Sequence, residues 1–347
     1  MEKKLTFASD YMEGAHPLIM ERLMHTNMEQ TDGYGTDEYC TSAKEKIRAV
    51  CNAPEADVFF LVGGTQTNAA VIAASLRIYE GVITADSGHT YVHEAGAIEA
   101  SGHKVLPLKG TNGKITAEAL DQYMHDFEND GNHEHMVQPG MVCIAQPSEY
   151  GTLYTKEELT KIHDVCTKHD LMLYVDGARL AYALACNEND IELKDLAALT
   201  DIFYIGGTKC GALFGEAVII PKHNMIPHFF TIIKQRGALL AKGRILGIQF
   251  DTLFTDDLYG KIGKNAIEQA DRIRSAFKEY GYRFFFETPT NQIFVVLENK
   301  QMEEMEKEVS FSFWEKFDEN HTAVRFATSW ATLPENTDQL IEILKKY

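Results

Sequence analysis

The chain has 347 residues, with 33 Lys plus Arg against 51 Asp plus Glu, a formal charge of −18. At about 150 residues per domain, the length predicts roughly two units whose core needs neither disulfides nor structural metals. The acidic balance argues against a reader of nucleic-acid backbones, although a local anion pocket remains compatible with it.

Residues 1–40, rich in Met, Tyr and Gly, read as an extended N-terminal arm. Met1–Asp10 has two lysines with no apolar stretch behind them, so it does not read as a signal peptide. Ser42-x-x-Glu45 reads as a capping box, opening a helix with Ala43, Ile47, Val50 and Cys51 on one side. Val58–Val62, Val82–Ala85 and Lys104–Leu108 read as strands, and Glu128–Gln138 as a polar surface loop. Met141–Ala145 is the next strand, followed by a second capping box, Thr155-x-x-Glu158, whose helix buries Leu159, Ile162 and Cys166. Leu171–Val175, Ile202–Ile205 and Ala217–Ile220 complete the strand set. Most are continuous apolar runs, the mark of strands covered on both faces. The alternation predicts an α/β fold over residues 41–250, a mainly parallel sheet wrapped by helices.

The pattern changes after Gln249. A long helix, Ile262 to Tyr280, is ended by Gly281. Phe284–Phe286, Ile293–Leu297, Ala323–Ala327 and a closing helix at Asp338–Lys345 make residues 251–347 a smaller α+β domain. No window approaches the ~18 consecutive apolar residues of a membrane span. Six cysteines lack any CxxC pair and read as reduced thiols of a cytoplasmic protein.

Three segments can carry chemistry. Gly63-Gly64-Thr65-Gln66-Thr67-Asn68 follows a strand and opens a helix, where free amides and the helix dipole hold an anion. It lacks both the dinucleotide and the Walker patterns, and alone it reads equally as a plain turn. Leu173–Arg179 delivers Asp176 at a strand's C-terminal end, either as a ligand group or as the cap of the next helix. Tyr204–Gly211 places Lys209 among small residues after a strand, where lost solvation favours the neutral, nucleophilic amine. His133-x-His135 has no complementary ligands, so no metal site is expected. Glu303–Glu308 reads as a solvated face, and Trp314 and Trp330 as core or interface residues.

An anion loop, a flat side chain at His89, a strand-end Asp and a loop Lys form the set that pyridoxal 5′-phosphate needs. On these residues the chain resembles the low-specificity threonine aldolases, within the β-eliminating lyase group of fold-type-I pyridoxal phosphate enzymes. The resemblance runs from Ser9-Asp10 through GGTQTN, His89…Glu94-x-Gly96-Ala97, Asp176-Gly177-Ala178-Arg179, Thr208-Lys209 and Lys234–Gln249 to Arg325. It implies the PLP-dependent transferase-like fold. It implies that Lys209 takes the cofactor's aldehyde, Asp176 pairs with the pyridine nitrogen, His89 stacks on the ring, and Gly64 and Thr65 bind the phosphate. Arg179, at the edge of the cofactor, would hold the substrate carboxylate with Arg325 and Ser9, a task suited to the guanidinium fork.

Lys234–Arg244 matches a segment that, in such enzymes, approaches the neighbouring subunit's phosphate. That adds Lys242 and Arg244 to the cofactor ligands and implies a homodimer or homotetramer with its active site at the interface. Tyr34-Gly35-Thr36 matches another segment near the site. The implied reaction is retro-aldol cleavage of L-threonine, L-allo-threonine and related β-hydroxy-α-amino acids to glycine and an aldehyde, with His89 the candidate base. The alternative is β-elimination from an aromatic or sulfur-bearing amino acid. In one place the chain departs from the pattern. Ala145–Gly151 has no histidine, Ser148 and Glu149 standing where the group often places one, so the β-substituent and the stereochemistry at Cβ stay open. The implied partner is a small amino acid, with neither nucleic acid nor membrane.

Overall fold

A computed structural model describes residues 4–347; residues 1–3, part of the stretch read above as no signal peptide, lie outside the described residues. The described chain begins with a two-residue strand, β1 (Leu5–Thr6). It then builds a seven-stranded sheet from β2 (Asp57–Leu61), β3 (Glu80–Ala85), β4 (Val105–Leu108), β5 (Gln138–Ala145), β6 (Met172–Asp176), β7 (Ile202–Gly206) and β8 (Glu216–Ile220). The spatial order is β2-β8-β7-β6-β5-β3-β4.

The sheet is parallel from β4 to β7, but β8 runs antiparallel to both β7 and β2. This reversal brings the first residue of β8, Glu216, to the edge where the other strands end. Side chains alternate between two apolar layers: Leu173, Phe203 and Ile219 pack on one face, and Tyr174, Tyr204 and Val218 on the other. Burial on both faces is why these strands read as unbroken apolar runs.

A second sheet follows, built from β9 (Arg283–Phe286), β10 (Gln292–Glu298), β12 (Ser312–Lys316) and β13 (His321–Ala327), all antiparallel, with β11 (Val309–Ser310) between β10 and β12 in sequence. The helix Leu258–Glu279 covers it with Ala270, Ile273 and Phe277, and the helix Pro334–Leu344 adds Leu340 and Leu344. The long helix starts about one turn before the predicted Ile262 and ends before Gly281, whose φ of +76° suits a residue without Cβ.

Two expectations need correction. The first forty residues are not simply extended: α1 (Pro17–His25) lies among them. His16 caps it by accepting the Leu18 amide at 3.3 Å, and Pro17 sits in its first turn. β1 pairs in parallel with β11, and Phe7 enters the C-terminal core. Ser42 is no cap. The helix α2 (Glu38–Val50) starts a turn earlier, where Asp37 accepts the Cys40 amide at 2.9 Å. The Ser42 hydroxyl instead bonds Asp251, 2.5 Å away. The Thr155 capping box forms as expected.

Candidate active site

Gly64, Thr65, His89, Asp176, Arg179 and Lys209 converge where β2, β3, β5, β6 and β7 end. Past β2, α3 (Gly64–Ser75) starts with no side chain capping its first turn. Gly64 and Thr65 there line a cavity of about 130 Å³ with His89, Asp176, Arg179, Lys209 and Glu216. A Cβ at Gly64 would stand 3.2 Å from the Tyr204 hydroxyl, a tight contact that shows how closely the loop approaches the floor.

The floor is a bonded polar group. Asp176, 7 % exposed at the end of β6, accepts from Asn68 Nδ2 at 3.1 Å, Tyr204 Oη at 2.5 Å and the Ala178 amide at 3.0 Å. Asn68 also donates to Glu94 at 2.6 Å and accepts from Tyr174 Oη at 2.7 Å. Glu94 in turn holds His89 Nδ1 at 2.9 Å, fixing the imidazole at the start of a short helix, α4 (His89–Val92). The His89 amide donates to Glu149 Oε1 at 2.8 Å.

Lys209 follows β7 in a turn whose course depends on Gly177, since a Cβ there would overlap the Tyr204 carbonyl. Among the described residues its amine has no hydrogen-bonded partner; the Tyr11 ring centroid lies 5.9 Å away. Burial, reinforced by Arg179, holds this amine below the usual lysine range against the pull of Asp10, Asp176 and Glu216. Beneath the turn, Glu216 accepts from Thr208 Oγ1 at 2.8 Å and the Gly207 amide at 3.0 Å. Burial raises its carboxyl to about 7 against those bonds and the Lys209 charge.

A wider cleft of about 690 Å³ shares His89, Glu149, Arg179 and Lys209 with the cavity and adds Tyr11, His93 and Arg325. Arg325, on β13, donates to Gln292 at 3.0 Å and to the Ala8 carbonyl at 3.3 Å, while its buried Nε has no partner. Ser9 Oγ, one residue beyond Ala8, is buried and unpartnered too. Arg179 is placed differently. Its Nε and Nη2 form a fork on Asp10, at 2.6 and 3.0 Å, and Asn291 supports the same carboxylate at 2.9 Å. Burial alone would raise Asp10, but Arg179, Lys209 and Asn291 bring it to about 2.

Within one chain Lys242 and Arg244 stand apart from this cleft. Lys242 is exposed, and Arg244 donates to the carbonyls of Thr26 and Glu29. Ser148 faces away, bonded to Thr152 at 2.6 Å, whereas Glu149 lines both cavity and cleft. Trp314, expected in the core or an interface, lines the cleft; Trp330 packs on His16. His163 and His169 serve structure: the first bonds the Leu199 carbonyl, the second Asp121 and Glu128. His133 and His135 lie on an exposed turn, and no three-residue metal cluster occurs among the described residues.

Asp10, Glu216, Asn68 and Glu94 are the residues that sequence reasoning left without roles. Asp10, Asn68 and Glu94 lie within motifs already singled out, whereas Glu216 carries no such signal.

A model of the beta-eliminating lyase family matches residues 6–300, and the chain belongs to that family. A threonine aldolase structure from Leishmania major is 41 % identical, with a TM-score of 0.95 over 98 % of each chain. A low-specificity L-threonine aldolase of Pseudomonas aeruginosa is 28 % identical over 340 residues, 96 % of this chain and 95 % of its own. An aspartate aminotransferase of Thermus thermophilus is 14 % identical, with a TM-score of 0.73 over 99 % of this chain and 91 % of its own. At that identity the likeness is one of fold, that of the fold-type-I pyridoxal phosphate enzymes.

Proposed function

We propose that the protein is a pyridoxal 5′-phosphate-dependent aldolase that splits L-threonine, L-allo-threonine and related β-hydroxy-α-amino acids into glycine and an aldehyde. One observation carries the reading: the unpartnered amine of half-buried Lys209 shares a cavity with the Asp176 carboxylate and an uncapped helix N-terminus. That arrangement fits the cofactor. The open amides around Gly64 and Thr65 suit its phosphate, Asp176 suits a protonated ring nitrogen, and Lys209 suits its aldehyde. His89, held by Glu94, offers a flat face. The likeness to threonine aldolases along nearly the whole chain supports the substrate class.

When bound, the cofactor supplies a sink for the electron pair left at Cα. The chain's own residues do the rest. Lys209, its amine held below the usual lysine range, would take the cofactor's aldehyde more readily than a solvated lysine. We assign the substrate carboxylate to Arg325, which lines the cleft, with Ser9 close behind it; the unpartnered Arg325 Nε and Ser9 Oγ support that assignment. Asp10 holds Arg179 rigid and neutralises part of its charge, so Arg179 shapes the cleft with its remaining donors. Asp176 is clamped in one orientation beneath the cavity by three donors.

We also assign the working form to a homodimer or homotetramer in the cytoplasm. Met24, Met28 and Tyr34 are 73, 87 and 42 % exposed beside the Ala241–Arg244 segment, which supports a covered face there and a reach of Lys242 and Arg244 toward a neighbour's phosphate. Six buried, unpaired cysteines support a reducing compartment. The test of activity is direct. Purified protein loaded with cofactor should release acetaldehyde and glycine from both threonine epimers. Firm cofactor binding with neither product, or pyruvate and ammonia instead, overturns the aldolase reading.

A further inference from the structure

The chain lacks a histidine between Ala145 and Gly151, yet retro-aldol cleavage needs a base at the β-hydroxyl. Resting on the aldolase reading above, we propose that His93 is that base. His93 follows His89 by four residues and so lies on the same side of the turn. The two ring centroids are 5.8 Å apart, with planes tilted by 54°. His93 lines the cleft that contains Lys209 and Arg325. Among the described residues neither of its ring nitrogens makes a hydrogen bond, so a lone pair is available to a substrate.

Its rivals are placed for other tasks. His89 is tied through Nδ1 to Glu94 at 2.9 Å. That bond fixes the ring, and its flat face would serve to hold a cofactor. Ser148 is buried against Thr152. Glu149 faces the cleft, but its Oε1 already accepts the His89 amide at 2.8 Å. Burial and the Asp176 charge push the Glu149 carboxyl up, toward the form that donates rather than accepts. Partial burial, then His89, then Arg325 push His93 down, which keeps it neutral and able to accept.

A substrate whose carboxylate sat at Arg325 would share with His93 the cleft that Lys209 also lines. There the β-O–H bond breaks and its proton moves to the His93 lone pair. The O–H electron pair becomes the second C–O bond of the aldehyde. The Cα–Cβ pair stays with Cα, which takes a proton to become glycine, and His93 returns its proton to solvent.

The experiment compares His93→Asn, His93→Gln and Glu149→Gln with the unmodified holoenzyme. A positioned base contributes about 100-fold or more, so both His93 variants should lose at least that factor in kcat on L-threonine. KM for threonine, the visible spectrum with added glycine, and exchange of the glycine α-proton in D2O should stay within about threefold, because none of them needs the β-hydroxyl. Cleavage by both His93 variants at near the unmodified rate overturns the proposal, as does equal loss of cleavage and glycine exchange. A Glu149→Gln protein that alone loses cleavage moves the role to Glu149. If the unmodified enzyme exchanges glycine but never cleaves threonine, the aldolase reading itself fails, a result distinct from the others.

Discussion

The floor of the cavity and the mouth of the cleft use polar groups in opposite ways. On the floor, Asp176, Asn68, Tyr174, Tyr204, Glu94 and His89 spend most of their capacity on one another, Glu94 Oε2 being left over. Around the cleft, Ser9 Oγ and Arg325 Nε are buried without partners, while half-buried Lys209 and exposed His93 make no side-chain hydrogen bond among the described residues. A satisfied buried network is rigid, and an unpaired buried group is costly. The floor therefore suits a permanently held, planar group, while the mouth stores unmet bonding for a ligand that comes and goes. Asp10 marks the border, because it satisfies Arg179 and leaves Arg325 open.

Mutations should separate the two regions. Lys209→Ala, at their junction, should abolish aldehyde release, by at least about 1,000-fold, and remove the visible cofactor absorbance without lowering the urea midpoint of the apoprotein. Persistence of that absorbance would break the assignment. Asn68→Ala strips partners from Tyr174, Glu94 and Asp176, so the floor should lose about 3 kcal/mol in urea denaturation. Arg325→Lys should leave folding nearly unchanged but raise KM for threonine about 10- to 100-fold, since an ammonium cannot replace the fork. An unchanged KM would place the carboxylate elsewhere.

The smallest effect concerns pH. The Glu216 carboxyl, raised by burial from an ordinary 4.5 to about 7 in the fold, favours the folded state when protonated. Its contribution is complete below about 4.5 and is lost as the pH rises through about 7. Stability should fall by about 1–2 kcal/mol between pH 5 and 8, and Glu216→Gln should flatten that slope in paired urea titrations.

The strands of the main sheet and the positions of Asp176 and Lys209 are legible because burial on two faces and small-residue turns leave local marks. Partners distant in sequence leave none. Nothing near Arg179 announces that Asp10, 169 residues earlier, holds its guanidinium. Glu216 looks like an ordinary strand start until β8 is seen to run backwards, which turns a strand's beginning toward the site. α1 was hidden because its start depends on a histidine cap rather than the usual Ser, Thr, Asp or Asn. Ser42 misled because a capping-box pattern carries no information about the Asp251 that takes its hydroxyl.

The seating of the first residues in the last sheet sets an order of events during synthesis. Phe7 accepts the Ala327 amide through its carbonyl, and Asp10 bonds Asn291, made 281 residues later. At ~5–20 residues per second, Asp10 waits roughly 15 to 55 s for that neighbour. Arg179 emerges in the interval, and until Asp10 is anchored its guanidinium lacks its fixed counter-charge. A nascent chain can thus build most of the main sheet while its site stays electrostatically unfinished, and the catalytic cleft closes only as the final strands arrive.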